Sequence, residues 1–422
     1  MKRVYRAVLR RGGPCGHRDD DEGTIIKREY LASRLPLLLA AALLAGCGGG
    51  GGGTTGGGGT TGGGGGSAAL TERFAAPIDL GPGFPGHIGK SVITGELGTF
   101  QKPPFAIVHF SNPVVWPVGP GPSIAPVPIP TSSEINAFTG FLDVNQQDQV
   151  LFRDTSNTTD SRILTNVTSG APTAFVLNVP AGLTGGAADI SDSGVAVGSA
   201  NSADFSSTSP LFWPAGQSTP VVMAPLPGDT VADPALVSSQ GVVIGTSVDN
   251  GSVVSVYWPR LAAGQPATLL TLPGTSTPVT GVLLSSNSQV VATFGTLASP
   301  GHVVTWDLSQ TTPTVVEIVG LGGATLPHGI NATGLIVGET GNFIGPAGTP
   351  FAAGVSHGFL WDPTVKAMAD LNALIPANTG WTLQAATAIN DAGMVVGVGI
   401  LNGSQHGFLL MPSRNRGLTP AR

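Results

Sequence analysis

The chain has 422 residues, 63 of them glycine and only 10% charged, which is ample length for a sizeable core. Its 19 Lys and Arg against 25 Asp and Glu give a net charge of −6. Nine of the basic and five of the acidic residues precede Cys47, so the remainder carries 10 against 20, a charge of −10, and nucleic acid is excluded as a partner because phosphate binding needs clustered cations.

Residues 1–46 read as a signal region. Arg34-Leu-Pro-Leu-Leu-Leu-Ala-Ala-Ala-Leu-Leu-Ala-Gly-Cys47 is a basic residue, a short apolar core and then Leu44-Ala45-Gly46-Cys47, which is similar to a bacterial lipobox. The apolar run falls short of the roughly 20 residues that cross a bilayer, so it reads as a cleaved signal, with the Cys47 thiol taking the lipid that anchors the protein to a membrane. Gly48 in place of Asp resembles lipoproteins forwarded to an outer membrane, on its periplasmic or surface side. The acidic run Asp19-Asp-Asp-Glu22 does not suit a signal, whereas Lys27, Arg28 and Arg34 do, so translation is expected to start between Ile26 and Leu31. Cys15 and Cys47 are the only cysteines, which leaves the folded part without a disulfide.

Residues 47–67 form the lipid-bearing Cys and a tether of glycine runs broken by Thr54-Thr55 and Thr60-Thr61. Such a coil spans ~25 Å on average and ~70 Å when fully extended. It is not a nucleotide loop, because no strand precedes it and no Lys-Ser/Thr follows.

From residue 68 to 412 one phrase recurs seven times, ahead of a tail at 413–422. Clear copies are Asp192-Ser-Gly-Val-Ala-Val-Gly198 with Leu211-Phe212-Trp213, Gln240-Gly-Val-Val-Ile-Gly245 with Val256-Tyr257-Trp258, Thr333-Gly-Leu-Ile-Val-Gly338 with Phe359-Leu360-Trp361, and Ala392-Gly-Met-Val-Val-Gly397 with Phe408-Leu409-Leu410. Degenerate copies are Ser91-Val-Ile-Thr-Gly95 with Ile107-Val108-His109, Asp148-Gln-Val-Leu-Phe152 with Arg162-Ile163-Leu164, and Ser288-Gln-Val-Val-Ala292 with Val304-Thr305-Trp306. A period of about 47 residues, filled with short β-branched runs between Gly, Pro, Ser and Asn, predicts four strands per unit and an all-β, seven-bladed β-propeller. Helical solenoids of that period need long runs at 3.6 spacing, and none occurs. In the last unit Asn390-Asp391-Ala392-Gly393 makes a turn, Met394 to Ile400 a second strand and Gly407 to Met411 a third. That unit lacks a fourth strand, while Pro77-Ile-Asp-Leu-Gly81 stands alone before the first repeat, so residues 75–81 are expected to complete the last blade and close the ring.

Ile330-Asn331-Ala-Thr-Gly334-Leu-Ile-Val-Gly338 with His357-Gly-Phe-Leu-Trp361, and Ile389-Asn390-Asp-Ala-Gly393-Met-Val-Val-Gly397 with His406-Gly-Phe-Leu409, resemble the bacterial extracellular repeat family called HAF. Its units read Ile-Asn-x-x-Gly-x-Val-Val-Gly and then His-Ala-Phe-Leu-Trp, here altered to His-Gly-Phe. The resemblance implies export and a repeat architecture, and it carries no reaction.

No Gly-x-Ser-x-Gly, His-Glu-x-x-His or EF-hand loop occurs, so no catalytic residue, metal or cofactor is assigned. His357 and His406 share one repeat position, which favours a structural role such as a hydrogen bond across blades, and His109 stands where other units have Trp. Gly194, Gly241, Gly334 and Gly393 read as turn residues, and Trp213, Trp258, Trp306 and Trp361 as core. Asp189, Asp192 and Asp391 beside the turns read as turn formers rather than calcium ligands. Unit six carries an insertion over residues 341–354, and the stretch after His109 is overlong and includes Trp116. Insertions on a rigid scaffold are where binding usually sits, which makes Phe343, Ile344, Phe351 and Trp116 the candidate ligand contacts. The expectation is a monomeric binding or interaction module for an envelope protein or glycan. The alternatives are a propeller carbohydrate hydrolase or lyase, which needs acids or a His–acid pair converging at one mouth of the ring, and a structural envelope protein.

Overall fold

A computed structural model of the chain describes residues 73–97, 111–129, 142–153, 161–169, 171–249, 252–294, 302–321, 324–341 and 356–413. Cys47, the tether and residues 414–422 lie outside them. The described residues form seven antiparallel four-stranded sheets, the blades of a seven-bladed β-propeller. Blade four is representative: an inner strand Ala232–Val237, a second Val243–Asp249, a third Ser252–Trp258 and an outer Thr268–Leu269. Inner strands turn into second strands on one face of the ring, the turn face. Second strands turn into third strands on the opposite face, the hairpin face, where each outer strand also crosses to the next blade.

Six blades are built from consecutive strands, and the seventh is not. Its inner three strands, Trp381–Ile389, Val395–Leu401 and Ser404–Leu410, take Ile78–Asp79 as the outer strand, with Ile78 opposite Leu409 and Asp79 opposite Phe408. The expected closure by residues 75–81 is therefore observed. Blade one grips the same segment from its other side, since the Asp79 amide donates to Pro122 O and the Ile124 amide to Asp79 O, each at 2.9 Å.

The core lies between blades rather than within one layer. Val197 and Phe212 of blade three pack with Val243, Val256 and Trp258 of blade four in one buried cluster. Strands buried on both faces explain why the apolar residues run on instead of alternating.

Each residue of the recurring phrase has a separate duty. The turn residues Gly194, Gly241, Gly334 and Gly393 have φ of 81°, 82°, 79° and 76°, and Asp148 and Ser288 at the same place adopt 57° and 67°. The final Gly of the phrase sits opposite the residue that precedes a bulge in the inner strand: Gly198 faces Ala187, Gly245 faces Pro234 and Gly338 faces Pro327. A Cβ there would collide with the carbonyl oxygen of Gly186, Asp233 or Leu326. Phe152 replaces this Gly in blade two, where the inner pair runs without a bulge, and Ala292 replaces it in blade five, where the irregularity widens to the interval from Thr280 to Leu283.

The turns also bond to one another around the ring. Asn145 Nδ2 donates to Ser191 O, Ser239 N to Ser286 O, Asn287 Nδ2 to Ala332 O and Asn331 Nδ2 to Asn390 O. Asn390 Nδ2 passes the chain on to Gly89 O of blade one at 2.7 Å, and Ser91 N donates to Asp148 Oδ1 at 2.8 Å. Ser239 Oγ, 3.4 Å from Asp192 Oδ2, links blades three and four, so all seven interfaces are joined.

The third strand of blade one is Ser111–Pro117, not Ile107-Val108-His109. His109 lies outside the described residues, and Trp116 takes the place given to it. The extra length of this unit therefore falls between Leu97 and Ser111, in the same hairpin as the insertion of blade six, which falls between Gly341 and His357. The sequence misled because Pro113 and Pro117 disguise the strand.

Candidate functional site

The inner strands surround an axial channel of about 340 Å³. Five carboxylates line it, those of Asp143, Asp189, Asp192, Asp233 and Asp391, together with His87 and His328, and its described lining contains no Lys or Arg. Bulges in the inner strands aim side chains at the axis: His328 is the bulge residue of its strand, between Pro327 and Gly329.

Most of these acids are engaged by the scaffold. Asp192 Oδ1 accepts from Gln146 N at 2.8 Å, Asp391 Oδ1 from Ala332 N at 2.7 Å and Asp189 Oδ2 from Val237 N at 2.7 Å, each across a blade boundary. Burial pushes the Asp192 carboxyl above the usual range, and the charges of Asp391 and Asp143 add to this against the Gln146 amide. Two His–acid pairs stand in the wall: His87 Nδ1 is 3.0 Å from Asp143 Oδ1, and His328 Nε2 is 3.3 Å from Glu339 Oε1. Among the described residues no group of three or more His, Cys, Asp or Glu is arranged to hold a metal ion. The channel and these pairs were not singled out from sequence, because only folding brings the seven inner strands to one axis.

Trp116 is not a ligand contact. It is completely buried, and its Nε1 donates to Leu80 O at 2.9 Å. Trp213 and Trp258 do the same to Asn178 O and Ala224 O, so in these three blades the Trp ties the third strand to the outer strand of the preceding blade. Trp306 and Trp361 are 3% and 2% exposed. Phe343, Ile344 and Phe351 lie outside the described residues, as does Cys47.

The two matched histidines bond within their blade rather than across blades. His357 Nδ1 lies 2.5 Å from Asp370 Oδ2 and His406 Nδ1 lies 2.7 Å from Asp79 Oδ1, in each case third strand to outer strand. Both pairs sit at the hairpin end of their strands.

No family model matches the chain, and no curated protein matches it. Among solved structures, the Dos1 propeller is 12% identical over 80% of this chain and 95% of that one, with a TM-score of 0.43. The β-propeller domain of the Trilobed protease from Pyrococcus furiosus is 7% identical over 82% and 99%, at a TM-score of 0.46. TolB from Acinetobacter baumannii is 13% identical over 61% of this chain and 58% of its own, at a TM-score of 0.39. Likeness at this level carries no argument about ligand or activity.

Proposed function

We propose that the chain is a lipid-anchored, exported β-propeller of the HAF repeat type that works as a binding or interaction module at the bacterial envelope. What supports the reading is the pairing of Leu44-Ala45-Gly46-Cys47 and its glycine tether with a closed ring whose first described residues emerge on the turn face. Phe74 N donates to Leu374 O and Ala75 N to Met411 O there, so the chain enters the ring from the turn face. The ligand is an envelope protein or glycan, met in part by Phe343, Ile344 and Phe351 of the blade-six insertion. Probing arrays of glycans and envelope proteins with the full-length chain, and again after deletion of residues 341–354, tests it: binding that persists unchanged without the insertion removes that site. Cys47→Ser is expected to abolish palmitate labelling, and persistent labelling overturns the anchor.

A second reading, a carbohydrate hydrolase or lyase, is favoured by one observation: the His87–Asp143 pair shares the channel with Asp192 and Asp391. Turnover of any arrayed glycan, lost in His87→Ala, would select it.

A further inference from the structure

The exposed cations lie on one face of the ring, and four of the eight exposed large apolar side chains among the described residues lie on the other. Among the residues whose side-chain burial the structure describes, the exposed Lys and Arg are Lys90, Arg260 and Lys366, all in loops of the turn face. The hairpin face instead presents Phe205, Val253, Val319 and Leu321, which are 54%, 60%, 73% and 48% exposed, on blade three, blade four and the crossing from blade five to six. Exposed Asp204 adjoins Phe205, and exposed Glu317 stands two residues before Val319.

Phe205 is held out deliberately. Its φ is 56°, a conformation that bulky residues avoid, and the tip is braced by the Phe205 amide on Ser202 O, the Ser207 amide on Ser202 Oγ, and Ser202 and Ser206 on Asp204 Oδ1. The Ser202 and Ser206 hydroxyls hold the Asp204 carboxyl down to about 2, so it stays charged. A rigid aromatic and an aliphatic on the next blade, accompanied by two exposed acids and by no Lys or Arg described as exposed on that face, suit an occupant that is both basic and apolar.

We propose that the hairpin face over blades three to five docks a basic polypeptide segment bearing apolar side chains, anchored on Phe205 and Val253 and charge-matched by Asp204 and Glu317. This rests on reading the ring as a binding module.

The test is fluorescence anisotropy of the full-length chain in zwitterionic detergent with a labelled short peptide of alternating Lys and Leu, and with its Glu/Leu counterpart. The Lys/Leu peptide alone should bind, less well in high salt, and Phe205→Ser with Val253→Ser should weaken it about tenfold or more. Asp204→Asn with Glu317→Gln should weaken it too, and Val365→Ser, a 49% exposed aliphatic on the turn face, should not. Equal binding of both peptides, no binding, or equal loss in Val365→Ser overturns the proposal. Binding to phosphatidylcholine vesicles that depends on Phe205 and Val253 overturns it in favour of a lipid surface. An arrayed envelope protein or glycan that stays bound to the Phe205→Ser, Val253→Ser chain removes this face while leaving the binding-module reading intact.

Discussion

His406 Nδ1 lies 2.7 Å from Asp79 Oδ1, joining residues 327 positions apart. The same contact recurs in blade six between His357 and Asp370, where the chain is continuous. Asp79 thus occupies the repeat position of Asp370, and the N-terminal strand is held by the same side-chain chemistry as the outer strand of blade six. Asp79→Ala deprives both the imidazole and the Gly81 amide of an acceptor, and is expected to cost about 1–3 kcal/mol in urea unfolding. Amide exchange at Leu80 and Gly407, which pair across the closure, should accelerate in Asp79→Ala and stay unchanged in Asp370→Ala.

Trp116→Ala is expected to destabilise the protein by ~3–5 kcal/mol, as Trp258→Ala should, because each leaves a large cavity and a buried carbonyl without its donor. Ligand binding by the folded fraction should be unaffected. A near-neutral effect on the thermal midpoint would contradict the core placement.

Gly245→Ala tests the close approach of strands. Its new methyl would meet the Asp233 carbonyl, so the inner strand must shift, at a cost of about 1–3 kcal/mol. Ala292→Gly in blade five, where that crowding is absent, should change the urea midpoint far less.

Asn390→Ala removes a 1% exposed amide that donates to Gly89 O and accepts from Met394 N. About 2–3 kcal/mol of stability should be lost, because two buried backbone groups lose their partners at the interface that closes the ring. Differential calorimetry of the variant against the parent chain measures it.

Glu96 makes stability depend on pH. Its Oε2 has no hydrogen-bond partner, and burial raises the carboxyl from its ordinary 4.5 to about 7. In blade six the matching Glu339 has His328 at the inner-strand bulge, whereas the bulge residue of blade one is Gly86. The unfolded chain releases this proton near 4.5 and the folded chain near 7, so stability falls as pH rises between them. Glu96→Gln should remove that part of the slope and raise the urea midpoint at pH 8.

How far the sequence reached differs from element to element. The turn glycines and the phrase Gly-Val-Val-Gly of four units set a period that their degenerate copies keep, so the blade number and the orphan strand at Ile78–Asp79 are legible without coordinates. Blade one is not, since its triplet Val114-Val115-Trp116 stands farther from the repeated phrase than in most units and is flanked by Pro113 and Pro117, so that only pairing with Val92–Leu97 reveals it. Trp116, read as a loop residue, is core for that reason.

The sequence by itself determined the repeat, its period and the closure of the ring, because steric demands on turn and close-contact positions recur with every blade and leave few residue types to choose from. The tertiary structure alone decided which side chains share a surface. The five channel acids come from four blades and Phe205, Val253 and Val319 from three separate segments, and residues so far apart in the chain meet only when the blades are set around one axis.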